Sequence, residues 1–364
     1  MSTKRRKNRT SKSSNRISYL SVSPYIDKKV FEYAYNISKT AYITKKPEEV
    51  MAFYDELIGS ESVGTIFEKY LSMKKSKVVN EKDYEELSDF SDYKNLKKSI
   101  GNYSIIRVIQ KYIIPIIKDE MDRLNKKFGR DQIIRKLETL KMVFKLNETE
   151  IEIVTFLYIL QNVTVINNHF RNSSNIDDFD ESLIIINQLY KIIGCTNADI
   201  RKALSKGNLS KCGLLEKKGN SISMDDWLTE YISGVSEKHL NDRFCTLFKG
   251  KTMRLNDLEI SNEEKEMLIE LVSKKKRAMN ILFYGEPGTG KTELAKSLAA
   301  TTKKGIYIIN NKENEKASDL KRAIIATSNI VDPDNSIILI DETDDLLNTR
   351  FSHFLSGEGN SKSW

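Results

Sequence analysis

Gly285-Glu286-Pro287-Gly288-Thr289-Gly290-Lys291-Thr292 fits the pattern G-x-x-x-x-G-K-[ST] at every fixed position. The apolar run Ile281-Leu282-Phe283-Tyr284 leads into it, and Glu293-Leu294-Ala295-Lys296-Ser297-Leu298-Ala299, with helical spacing, leads out. Predicted strand, loop and helix in that order are the context in which the pattern forms a phosphate cradle. The glycines let the backbone curl so that successive N–H groups converge on phosphate oxygens at the start of a helix. Lys291 is expected to reach the β- and γ-phosphates, and the hydroxyl of Thr292 to ligate Mg2+. A glycine-rich turn carrying Lys-Thr by chance is the competing reading, and the flanks argue against it. Residues 285–292 are thus expected to hold a nucleoside triphosphate.

A second stretch supplies what the loop lacks. Ser336-Ile337-Ile338-Leu339-Ile340 is a continuous apolar run ending in Asp341-Glu342. A strand apolar on both faces belongs in a buried parallel sheet, and ligands gather at the C-terminal ends of such strands. Asp341 is expected to hold Mg2+ through its water shell, and Glu342 to polarise an attacking water. The fifty residues between Lys291 and Asp341 leave room for a helix, a strand and a second helix. The periodicity predicts them at 290–301, 305–310 and 318–330.

The rest of the chain reads differently. Its net charge of +8 is concentrated in residues 1–16, which carry seven Lys and Arg and no acidic residue, so that the remainder is near neutral. Residues 1–40 are expected to be a basic, disordered tail. Residues 41–195 read as a helical domain. A helix opens at Pro47-Glu48-Glu49 and stops at Gly59, a second runs from Leu96 to Phe128 with a kink at Pro115, and Asn147-Glu148-Thr149-Glu150 resembles a capping box. An acidic loop or weak helix is expected at 81–93. Residues 196–249 hold a short helix from Asn197, two short strands about a turn at Gly219-Asn220, and a helix capped by Asp225-Asp226. That order predicts a winged-helix-like module, with Arg201, Lys202, Lys206, Lys211, Lys217 and Lys218 around it. A docking or structural wing is favoured over a DNA-reading one. Residues 250–364 form the nucleotide-binding core, with Leu255 to Ile260 the place to look for contacts to a base. No apolar run approaches the roughly 20 residues that span a bilayer. Three scattered cysteines, Cys195, Cys212 and Cys245, fit neither a disulfide framework nor a zinc site and point to a reducing, cytoplasmic setting.

GEPGTGKT followed by SIILIDETDDLLN resembles the AAA+ ATPases, in which a glutamate directly after the Mg2+-binding aspartate marks the hydrolytic members. Upstream, FKLNETEIEIVTFLYIL and LSKCGLLEKKGNSISMDDWLTEYISG resemble the winged-helix region that precedes the motor in some bacterial members. The resemblance implies an α/β P-loop NTPase core behind a mostly α-helical region, ATP and Mg2+ as cofactors, and a homo-oligomeric ring for a complete member. It also implies a fourth strand between the loop-bearing and aspartate-bearing strands, a fifth strand, an arginine finger and a helical lid. None of these follows Glu342 in this sequence, and Arg350 stands too close to Glu342 to be the finger. The parallel sheet is therefore expected to be incomplete at its C-terminal side, and the chain to be a fragment that turns ATP over poorly alone. The leading function is an ATPase that remodels a protein or nucleic-acid partner. A nucleotide-binding scaffold or inactive fragment, and a winged-helix DNA-binding regulator, are the alternatives.

Overall fold

A computed structural model of the chain describes residues 23–39, 47–59, 62–66, 106–126, 131–174, 184–218, 221–235, 240–273, 279–310 and 317–341. Residues 1–22, the acidic stretch 81–93, the turn 219–220, Glu342 and all that follows it lie outside these residues; the expectation of a disordered tail over 1–40 needs correction, because Pro24–Lys39 is a helix that buries Ile26, Val30, Phe31 and Tyr33. Two compact units divide the chain, one formed by residues 1–134 and 155–196, the other by 135–154 and 197–364.

Among the described residues the first unit is helical, apart from the two-residue strand β1 (Ile184–Ile185), which precedes the helix Ile186–Ile193. Helix α1 (Pro24–Lys39) packs on α3 (Ile114–Asn125), and α2 (Pro47–Ile58) on the helix Thr164–Ser174. Pro115 stands in the first turn of α3, and the turn before it, Ile109–Ile113, is a π-helix. A proline lacks the N–H for the i−4 carbonyl and clashes with it, and a wider turn absorbs the mismatch. Tyr33 meets Phe156 edge-on at 5.2 Å, and His169 lies 4.6 Å from the Phe53 ring.

In the second unit the capping box at Asn147 is reciprocal. The Glu150 amide donates to Asn147 Oδ1 at 3.0 Å, and the Asn147 amide to Glu150 Oε2 at 2.8 Å. Glu150 is buried and its other oxygen accepts the Leu209 amide at 2.9 Å, so one carboxylate starts two helices. The helices Asn197–Lys206 and Asn208–Lys211 lead into the antiparallel hairpin β2 (Leu215–Lys218) and β3 (Ser221–Met224). The helix Asp226–Ser233 follows, and Phe144, Trp227 and Phe244 form an aromatic cluster with centroids 5.7 to 6.5 Å apart.

The core sheet contains β4 (Cys245–Leu247), β5 (Gly305–Ile309) and β6 (Ser336–Leu339), in that spatial order. Helices Lys291–Thr301 and Ala317–Ile330 fall within a residue or two of their predicted bounds. The expectation of a parallel sheet needs correction: β5 and β6 are parallel, but β4 is antiparallel to β5. Three residues between Phe244 and Phe248 are too short to show a period, yet they pair along β5 and cover its otherwise open edge. Two further differences share one cause. Ile281 to Tyr284 forms no ladder, with Ile281, Leu282 and Tyr284 exposed by 38%, 59% and 90%, and β6 is half-buried rather than buried. Among the described residues, β6 has β5 as its single neighbour and the segment before the loop has none.

Burial pushes the His169 imidazole down from its ordinary 6.5 to about 4. The unfolded chain then binds the proton more tightly than the folded one. This contribution is complete above pH 6.5 and is lost as the pH falls toward 4, to the extent of about 3 kcal/mol. An NMR titration of the ring should show a midpoint near 4, with the stability of the first unit falling between pH 6.5 and 4. A midpoint near 6.5 would contradict the burial.

Candidate functional site: a phosphate-loop cradle

The loop 285–292 is shaped by its own backbone. Gly288 and Gly290 both take φ of +83°, and Gly290 is the N-cap of the helix Lys291–Thr301, whose Leu294 amide bonds back to the Gly290 carbonyl at 2.8 Å. Thr289 Oγ1 donates to the Glu286 carbonyl at 2.9 Å and closes the bend. The Lys291 ammonium folds over the loop, donating to the carbonyls of Gly285 at 3.0 Å and Glu286 at 2.7 Å, with Thr289 Oγ1 at 3.4 Å. Helix N-terminus, free loop amides and a lysine at their mouth make a site for a multiply charged anion.

Thr292 and Asp341, 49 residues apart, are brought together. The Thr292 hydroxyl lies 3.1 Å from each carboxylate oxygen of Asp341. The first comes from the opening turn of the loop helix, the second from the residues just past β6, so sheet and helix converge at one end of the parallel strand pair. Glu342, the expected water-polarising residue, lies outside the described residues and its placement is not part of this geometry.

The loop helix is fixed from its far side by residues that sequence inspection passes over. Glu293 Oε1 accepts the Met253 amide at 2.8 Å, and Ser297 Oγ donates to the Met253 carbonyl at 2.8 Å. Leu255 is thereby delivered into a small core with Leu268 and Leu298, flanked by Phe283 and Leu294. The segment 255–260, read from the sequence as the place to seek a base, is here packing material between the loop helix and Asn262–Ser273. Glu293 and Ser297 stand on the same face of their helix four residues apart, a pattern too common on helices to be a signal.

Arg322 is the other residue without a sequence signal. It is 6% exposed, on Ala317–Ile330, the helix that precedes β6. Its Nε donates to the Cys212 carbonyl at 3.1 Å, one terminal nitrogen bonds the Gly213 carbonyl, and the other meets Asp225 Oδ2 at 3.2 Å. Asp225, predicted to cap Asp226–Ser233, makes no side-chain cap and gives its carboxylate to Arg322 instead.

Residues 281–363 match the family described as ATPase family associated with various cellular activities (AAA). The AAA match begins at the apolar run before the loop and includes both Asp341 and Glu342. The chain is 43% identical over 76 residues to the Holliday junction branch migration complex subunit RuvB of Mycoplasmopsis synoviae, covering 21% of this chain and 22% of that protein. It is 32% identical over 106 residues to the replication factor C large subunit of Sulfurisphaera tokodaii, covering 27% and 24%. Against spastin of Naegleria gruberi it is 27% identical over 137 residues, covering 33% and 26%. The chain thus spans about a quarter of the length of these curated relatives. No solved structure matches it.

Gly290 tests the loop geometry without touching its chemistry. Nothing lies within 4 Å of a Cβ placed there, so the obstacle to Gly290→Ala is the left-handed backbone alone. That conformation costs an L-residue about 1–2 kcal/mol, and asparagine tolerates it better. Denaturation should rank Gly290→Asn above Gly290→Ala, and both above Gly290→Val; equal stability for all three would contradict the geometry.

Proposed function

We propose that residues 250–364 carry the ATP-binding part of an AAA+ ATPase which, when complete, hydrolyses ATP with Mg2+ to remodel a protein or nucleic-acid partner. The observation that carries this reading is the meeting of Thr292 with Asp341 beside a lysine-bearing phosphate loop. The donor set there is a hydroxyl and a carboxylate, all oxygen, which suits a hard divalent cation. Thr292 and Asp341 are the residues that would hold Mg2+. When bound, the ion neutralises phosphate charge and orients the terminal phosphate.

The chain's own residues do the remaining work. Backbone N–H groups of 288–292 face the phosphates at the helix N-terminus. Lys291 exchanges the neutral carbonyls of Gly285 and Glu286 for anionic oxygens, a stronger, charge-assisted bond. Glu342, directly after Asp341, orients the attacking water and accepts its proton. Ring assembly supplies residues from a neighbouring copy, and the hairpin-bearing residues 196–249 act as a winged-helix-like module that passes the motion to the partner. The AAA match over 281–363 supports the nucleotide-binding part of this reading. The scaffold reading shares the binding step and lacks the hydrolytic one.

Two substitutions separate the readings. Lys291→Ala should weaken binding of a fluorescent ATP analogue by at least about tenfold, the loss of a charge-assisted contact. Glu342→Gln in the assembled protein should leave binding intact and lower phosphate release about a hundredfold or more. Unchanged binding by Lys291→Ala would remove the nucleotide reading, and turnover indifferent to Glu342→Gln would leave the scaffold.

A further inference from the structure

Charge is unevenly spread beyond the cradle. Residues 197–218 carry Arg201, Lys202, Lys206, Lys211, Lys217 and Lys218 against Asp199 and Glu216, a net +4. With the seven cations of residues 1–16, they leave a net −3 for the remainder of a chain whose total is +8. The structure places this charge on one small scaffold. The helix Asn197–Lys206 buries Ile200, Ala203 and Leu204 and exposes Arg201, Lys202, Ser205 and Lys206. Lys211 is exposed at the end of the next helix, and Lys217 and Lys218 stand at the turn end of the hairpin, across from Ile222 and Ser221.

The base beneath these cations is held firmly. Asn208 Nδ2 donates to the Lys145 carbonyl at 2.6 Å, Leu209 is tied to the buried Glu150, and Arg322 grips the turn at Cys212 and Gly213. The exposed cations are therefore presented on a preorganised surface, which reduces the ordering cost of binding.

Composition identifies the partner. The exposed large hydrophobic side chains among the described residues are Met142, Val235, Leu247, Met253, Met267, Met279, Ile281, Leu282 and Tyr284. None falls within 197–216. A protein-docking surface needs a buried apolar anchor at its centre, whereas a phosphate backbone asks for cations and hydroxyls alone. The ten-residue helix Asn197–Lys206, like any α-helix about 10–12 Å across with its side chains, matches the roughly 12 Å width of a major groove. We propose that the exposed face of 197–211 binds the phosphate backbone of duplex DNA. This names the partner class left open above; no step of it depends on nucleotide occupying 285–292.

The test uses the full chain without nucleotide and a fluorescent mixed-sequence duplex, titrated by anisotropy between about 50 and 200 mM salt. Arg201→Gln, Lys202→Gln, Lys206→Gln and Lys211→Gln together should lower affinity at least about tenfold and flatten the log–log salt slope by about two to four. The same four substitutions should cause the same drop in a chain whose seven cations of residues 1–16 are replaced by glutamine, which separates this face from the tail. A charge-conserving set, Arg201→Lys with Lys202→Arg and Lys206→Arg, should bind like the unaltered chain, which excludes misfolding as the cause. Lys291→Ala should also bind DNA normally, so that failure of the ATP reading and failure of this one remain distinguishable. No duplex binding, a slope indifferent to the four substitutions, or equal affinity for single-stranded DNA or polyglutamate would overturn the proposal.

Discussion

The hydrogen bond from Thr292 to the carboxylate of Asp341 is the contact on which the core's organisation turns. It joins the first turn of the loop helix to the residues just past β6. A hydroxyl–carboxylate bond contributes about 1.5–3 kcal/mol, and here it also sets direction. It aligns the helix N-terminus, the loop amides and the strand end toward one point. The sheet behind it is slight, and β5 alone has a neighbour on each side.

Rigidity reaches this point by two routes. On one side Glu293 and Ser297 clamp Met253 and set Leu255 into the core between Leu268 and Leu298. On the other, Ala317–Ile330 is pinned near its start by Arg322 and near its end by Asn329, whose Nδ2 donates to the Val143 carbonyl at 2.9 Å. The guanidinium satisfies two backbone carbonyls and a carboxylate at once, the bonding that keeps a buried charge from becoming a burden. The hairpin region and the strand carrying Asp341 are therefore attached to a common helix.

How much of this the sequence discloses depends on whether the governing interaction is local. The loop, its helix, β5, the helix before β6, the capping box at Asn147 and the hairpin at 215–224 all follow from patterns within a dozen residues. Three features do not. Strand β4 is three residues long and exists because the edge of β5 needs covering. The segment 281–284 has the composition of a buried strand, but a strand is made by its neighbours, and none of the described residues pairs with it. Arg322 looks like any solvent-facing cation on an amphipathic helix, and its burial is decided by carbonyls more than a hundred residues away in sequence. At the site itself, Thr292 and Asp341 were legible because spacing and flanks constrain them, while Glu293 and Ser297 were not.

A double-mutant cycle on Thr292→Val and Asp341→Asn, read as Mg2+-dependent affinity for ATP by calorimetry, tests the central contact directly. If the two residues act as one oxygen site, each substitution alone should weaken binding at least about tenfold, with the pair little worse than either, a coupling of about 1–3 kcal/mol. Independent, additive losses, or affinity indifferent to Mg2+ in the unaltered chain, would contradict the account.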